Sequence, residues 1–142
     1  MNILILSYLK QRGSPFADAE RSYIRQMGKG FPLAIQAIRG RMPAGLLRKL
    51  LQPDVYRVML AIKGTPLSTE AFYGKYRDLE KRYRSVVFYI GDEKGQFADQ
   101  APPAHFSLSL SPMVFNHFLA RLLLLEQLFR IRCIKENHPY HC

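Results

Sequence analysis

Apolar residues along this chain fall into two kinds of stretch that alternate: short continuous runs, and longer ones with apolar positions at helical spacing. Asn2 to Ser7 is a continuous run of the kind a buried parallel strand shows, followed by a Gly-Ser-Pro break at 13–15. From Phe16 to Met27 the positions Phe16, Ala19, Tyr23, Ile24 and Met27 recur at helical spacing. Asp18 and Glu20 stand early in that stretch, Arg25 late and Gly28 just past it, as a helix with ordinary ends requires. Phe31 to Ile38 reads as a second strand, and a short helix through Leu46, Leu47, Leu50 and Leu51 stops before Pro53. Val55 to Ile62 is a third strand, and a loop over 63–66 leads to Ser68, a fitting N-cap for a helix to about Arg82. Ser85 to Ile90 is a fourth strand running straight into a glycine-bounded loop, 91–95. Phe106 to Leu110 is strand-like, Ser111-Pro112 makes a corner, and an apolar helix is predicted from Met113 to Ile134.

This alternation predicts an α/β fold, one domain over 1–142, with a mainly parallel sheet flanked by helices. Ligands then sit at the carboxyl ends of the strands. The loops at 63–66, 91–95 and 110–116 are expected to gather on one edge and form one pocket. Gly91 and Gly95 suit a backbone that approaches a ligand closely, although an ordinary strand-to-helix turn needs glycine as well. Leu122 to Leu125 are successive, and at about 100° per residue they leave no side of the helix polar. The sheet covers one side. A symmetric partner subunit is the economical cover for the other, two elements of the same chain the alternative.

Composition narrows the field. The chain of 142 residues carries 21 Lys plus Arg against 11 Asp plus Glu, a formal charge of +10 that favours polyanions such as nucleic acid. The imbalance is sharpest before Asp54, where Lys10, Arg12, Arg21, Arg25, Lys29, Arg39, Arg41, Arg48 and Lys49 face only Asp18 and Glu20. Two cysteines, Cys133 and Cys142, make no disulfide framework, and the N-terminus lacks the pattern of a secretory signal, so a reduced, cytoplasmic setting is expected. Arg121, Glu126, Arg130 and Arg132 interrupt the long helix and argue against a membrane span. No Ser/His/Asp order, paired carboxylates or phosphate loop supports hydrolysis; Ser107, Ser109 and Ser111 alternate as strand residues do.

The ending Asn137-His138-Pro139-Tyr140-His141-Cys142 holds competent metal ligands, but their spacing matches no established pairing, and no metal is expected. A solvated tail is the alternative, against which Pro139 and Tyr140 would stiffen and anchor the segment.

Ser109, Leu110, Ser111, His117, Leu119, Arg121, Leu123, Glu126, Gln127, Leu128, Arg130 and Asn137 to His141 together resemble the RlmH family. These are knotted SPOUT-class methyltransferases acting on pseudouridine in large-subunit ribosomal RNA. Weaker support comes from Leu60, Gly64, Ser68, Glu70, Phe72, Ile90, Gly91 and Gly95, so the likeness extends over nearly the whole chain. It implies an α/β fold with a C-terminal trefoil knot, an exception to the rule that chains are unknotted. It implies S-adenosylmethionine held by Leu60, Gly91 and the crossing loop Leu110, Ser111, Pro112, Met113, Val114 and Phe115. It further implies methyl transfer to N3 of pseudouridine in 23S ribosomal RNA, with His138, Tyr140 and His141 as catalytic candidates. The expected partners are ribosomal RNA or the assembled ribosome and a second copy of the chain, whose tail would complete the pocket. Three positions depart from the family pattern: Asp92 for a glycine, Cys142 for a terminal arginine, and Asn116 for a proline before the helix. The first two motivate an alternative, a catalytically weakened RNA- or ribosome-binding protein on the same fold.

Overall fold

The computed structural model describes residues 1–8, 13–91 and 96–141. Its strands are β1 (Asn2–Tyr8), β2 (Leu33–Ile38), β3 (Val55–Pro66), β4 (Ser85–Ile90) and β5 (Phe106–Ser109). They form one five-stranded sheet in the order β2-β1-β4-β3-β5, with each pairing parallel. The helices are α1 (Ala17–Met27), α2 (Ala44–Leu50), α3 (Thr69–Glu80), α4 (Gln96–Gln100) and α5 (His117–Lys135).

The continuous apolar runs have a direct cause: β1 and β4 are covered on both faces. Ile3, Ile5, Val86, Phe88 and Ile90 pack with Met27 of α1, Phe72 and Leu79 of α3, and Leu124, Leu125 and Leu128 of α5. The alternate residues Leu6, Tyr8, Val87 and Tyr89 meet Met42, Leu50 and Phe97 on the other face.

Three departures from the sequence reading bear on the site. First, β3 does not end at Ile62. Leu60 pairs with Leu108, the register then breaks, and Thr65 pairs with that same residue, so 63–66 belongs to a bulged strand and not to a loop. Gly64 lies within the bulge, where an added Cβ would stand 2.8 Å from the backbone carbons of Leu108 and Ser107. Second, α5 begins at His117 and not at Met113. Asn116 caps it, its side chain accepting the Phe118 N–H at 2.8 Å, and 113–115 stay in the preceding loop. Third, α4 was not expected; at five residues it is too short to show a period.

The long helix finds much of its cover within the chain. α5 lies between α1 and α3 over β4. Leu124, Leu125, Leu128 and Ile131 are fully buried there, while Leu122 and Leu123 are half-buried. Leucines on all sides therefore do not by themselves require a partner subunit. A buried ion pair locks α5 to α1: Arg121 donates to both oxygens of Glu20 from Nη2 at 3.0 Å. Its Nη1 also donates to Ser7 Oγ at the end of β1, at 3.2 Å.

Candidate methyltransferase site

At the bulge of β3 and the carboxyl ends of β4 and β5 the sheet opens into a cleft of about 360 Å³, within the range of about 300–1,000 Å³ usual for small-molecule sites. The wall from β3 is Leu60, Ala61 and Ile62, and that from β4 is Ile90 and Gly91. Leu108, Leu110, Ser111, Met113, Val114 and Phe115 close the third side, with His117 and Ala120 of α5 beneath.

The chain is shaped locally for this. The Ser111 hydroxyl accepts the Met113 N–H at 3.0 Å and the Ser109 hydroxyl donates to the Ser111 carbonyl at 3.1 Å, so both hydroxyls are spent on holding the loop. The rim is apolar and open to solvent: Met113 is 71% exposed, Val114 74% and Ile62 50%. Large apolar side chains left outside around a concave site mark a surface that something else covers. Gly91 has room: a Cβ there would meet only the Phe97 Cβ at 3.5 Å.

A second cavity of about 410 Å³ lies behind the same loop, and Leu108, Leu110 and Phe115 line both spaces. Its far wall is the start of α3 (Leu67, Ser68, Thr69, Phe72) with Leu123 and Gln127 of α5.

Beyond α5 the chain turns sharply. Asn137 adopts a left-handed conformation at φ 54°, its N–H donating to the Ile134 carbonyl at 3.2 Å and that of His138 to Cys133 at 2.8 Å. This is the double hydrogen bond of a Schellman stop, with Pro139 soon after to bar further helix. The tail then folds back on α5 and α3. Tyr140 packs edge-on against Phe129 at 4.8 Å, and its hydroxyl donates to Glu126 Oε1 at 3.1 Å. Burial and then the Glu126 carboxylate push its pKa up to about 12, so near neutrality the phenol is a donor and not a base. His141 contacts Glu70 Oε1 through Nε2 at 3.1 Å and Arg130 through Nδ1 at 3.3 Å. Glu70 is held below the ordinary carboxylate value, first by its own backbone N–H and then by His141. His138 is exposed.

Leu60, Gly91, Leu110, Ser111, Met113, Val114 and Phe115 thus come together around one cleft. Pro112 is exposed in the same loop and does not line it. His138, Tyr140 and His141 line neither cavity within the chain. His117, Ala61 and Ile62 also line the cleft, although nothing in the sequence alone marks them as site residues. Ile62 stands two positions beyond Leu60, a spacing that carries weight only if β3 continues past it, as the pairing of Thr65 and Pro66 with β5 shows that it does. The sequence reading assigned nothing to Glu70, Glu126 and Arg130 around the tail, although the i, i+4 spacing of the latter two on a helix was legible. Asp92 and Cys142 lie outside the described residues. Among the described residues no helix is long and apolar enough to cross a membrane.

Residues 1–141 match the family model described as "Predicted SPOUT methyltransferase". The chain is similar to proteins named ribosomal RNA large subunit methyltransferase H. One from Desulforamulus reducens is 36% identical over 140 residues, covering 96% of this chain and 87% of the relative. One from a Synechococcus strain is 37% identical over 140 residues, 96% of this chain and 94% of the relative. One from another Synechococcus strain is 41% identical over 112 residues, 77% and 76% of the two chains. A family match over nearly the whole chain, and a parallel sheet opening at its carboxyl edge into a cleft of suitable size, lead to one conclusion: the chain belongs to the SPOUT methyltransferase family.

Proposed function

We propose that the protein transfers a methyl group from S-adenosylmethionine to N3 of a pseudouridine in large-subunit ribosomal RNA, working in the cytoplasm as a homodimer. The observation that carries this is the cleft at the bulge of β3 and the carboxyl ends of β4 and β5, built from Leu60, Gly91 and the 110–115 loop. Apolar walls with backbone N–H and C=O groups at strand ends suit an adenosine whose edge is read by the main chain. S-adenosylmethionine, when bound, supplies an electrophilic methyl group on a sulfonium. The loop from Leu110 to Phe115 is read as the crossing segment of a C-terminal trefoil knot.

The chain's own residues then have three tasks. The cleft holds the donor so that placement supplies much of the rate. The exposed rim of Met113 and Val114 is covered when substrate or a partner subunit docks, which excludes water. The tail takes up the proton that N3 must lose. Tyr140 keeps its proton, His141 is engaged at both ring nitrogens and His138 Nδ1 accepts the Tyr140 N–H at 3.3 Å, so the acceptor is one of the two histidines once it gives up such a contact, and Tyr140 is the candidate to contact the base. Because the tail lines neither cavity of its own chain, it is read as completing the partner's site. The second reading, an RNA-binding protein with weakened transfer, keeps its motive in Asp92 and Cys142.

Calorimetric titration with S-adenosylmethionine tests the donor assignment. One donor is expected per chain, and Gly91→Ala, whose added methyl would meet within the chain only the Phe97 Cβ at 3.5 Å, is expected to weaken binding about tenfold or more. No binding heat with the folded wild-type chain contradicts the proposal.

A further inference from the structure

The geometry points to Glu126 and Arg130 as positioning residues that hold the C-terminal tail for the transfer step, an inference that rests on the function proposed above. The two side chains stand one helical turn apart and are paired, Arg130 Nε donating to Glu126 Oε1 at 2.5 Å. An i, i+4 pair adds little to a helix by itself, and this one, only 30% and 20% exposed, is covered by the residues it touches, where its worth is to be sought.

Both carboxylate oxygens of Glu126 are committed. Oε1 also accepts the Tyr140 hydroxyl at 3.1 Å, and Oε2 accepts from Gln127 Nε2 at 2.8 Å. The Arg130 guanidinium lies 4.9 Å from the centre of the Tyr140 ring, the distance of a cation on an aromatic face. Its Nη1 reaches His141 Nδ1 at 3.3 Å. Arginine has only donors, so this nitrogen of His141 accepts, and in the neutral ring the proton sits on Nε2, facing Glu70. The pair therefore fixes the position of Tyr140 and the tautomer of His141 together. A solvated tail after a helix stop has every entropic reason to wander, and these contacts oppose that.

The test pairs Glu126→Gln, which keeps shape and loses charge, with Arg130→Lys, which keeps charge and loses the fork. Two readouts are taken on the full-length chain. Backbone ¹⁵N relaxation of Tyr140 and His141 is expected to show order parameters falling from rigid values, about 0.85, to below about 0.6 in both variants, with the sheet amides unmoved. Methyl transfer to ribosomes is expected to lose kcat by about tenfold or more while the donor Kd changes less than about twofold, since misplacement acts on the transition state and not on the cleft. Tail amides as rigid as wild type in both variants overturn the inference whatever the activity. A loosened tail with unchanged kcat overturns the positioning role. Absent transfer by wild type, with a tail that loosens as expected, strikes the proposed function and leaves the anchoring standing.

Discussion

At the scale of single residues, glycines divide by what a methyl group would meet. A methyl on Gly91 would meet only the Phe97 Cβ at an ordinary 3.5 Å, whereas Gly64 is pressed on the backbone of β5, which cannot yield as a flexible side chain would. Gly64→Ala should therefore force β3 off Leu108, a residue of the cleft wall, and cost about 1–3 kcal/mol as overpacking commonly does. Urea denaturation checks this, and a variant as stable as wild type would show that the close approach is absent. A glycine after a strand reads as a turn, so the crowding at Gly64 was illegible: the atoms that impose it belong to a distant strand. Gly91 and the 110–115 loop were legible in two ways: as loops at strand ends expected to share one pocket, and through the family likeness.

At the scale of elements, the strands and the larger helices follow from runs and periods in the sequence, because burial on both faces of β1 and β4 leaves few polar positions to confuse the pattern. Their ends follow from contacts. Asn116 ends the loop by capping α5, so a departure from the family's proline becomes a functional helix start here. Arg121 looks in sequence like a polar interruption of an apolar helix, yet it is buried with Glu20, the two side chains being 7% and 9% exposed. Removing one partner strands the other charge. Glu20→Gln is expected to lower the unfolding free energy by about 3–5 kcal/mol, and the double change Glu20→Leu with Arg121→Leu by clearly less. Chemical denaturation of the three proteins checks it; equal losses in single and double variants would show that the pair is not what holds α1 to α5.

At the scale of the whole molecule, the parallel order β2-β1-β4-β3-β5 brings the strand ends to one edge, and the cleft opens there. Arg39 and Arg41, both exposed, follow β2 at that same edge, so part of the basic excess stands where a polyanion would approach the cleft. Separation of the tail from the cleft of its own chain was implied only by the family likeness, and by no pattern of polarity or spacing. It depends on how α5 ends, at the left-handed Asn137, and on which helices receive the returning chain. Under the proposed function, donor and proton acceptor meet only when a second chain contributes its tail. The most direct measurement is transfer of labelled methyl from S-adenosylmethionine to ribosomes purified from cells lacking the modification. The account predicts label in large-subunit RNA at about one methyl per ribosome, on N3 of a pseudouridine. Ribosomes that remain unlabelled beside a chain that is folded and binds the donor would contradict it.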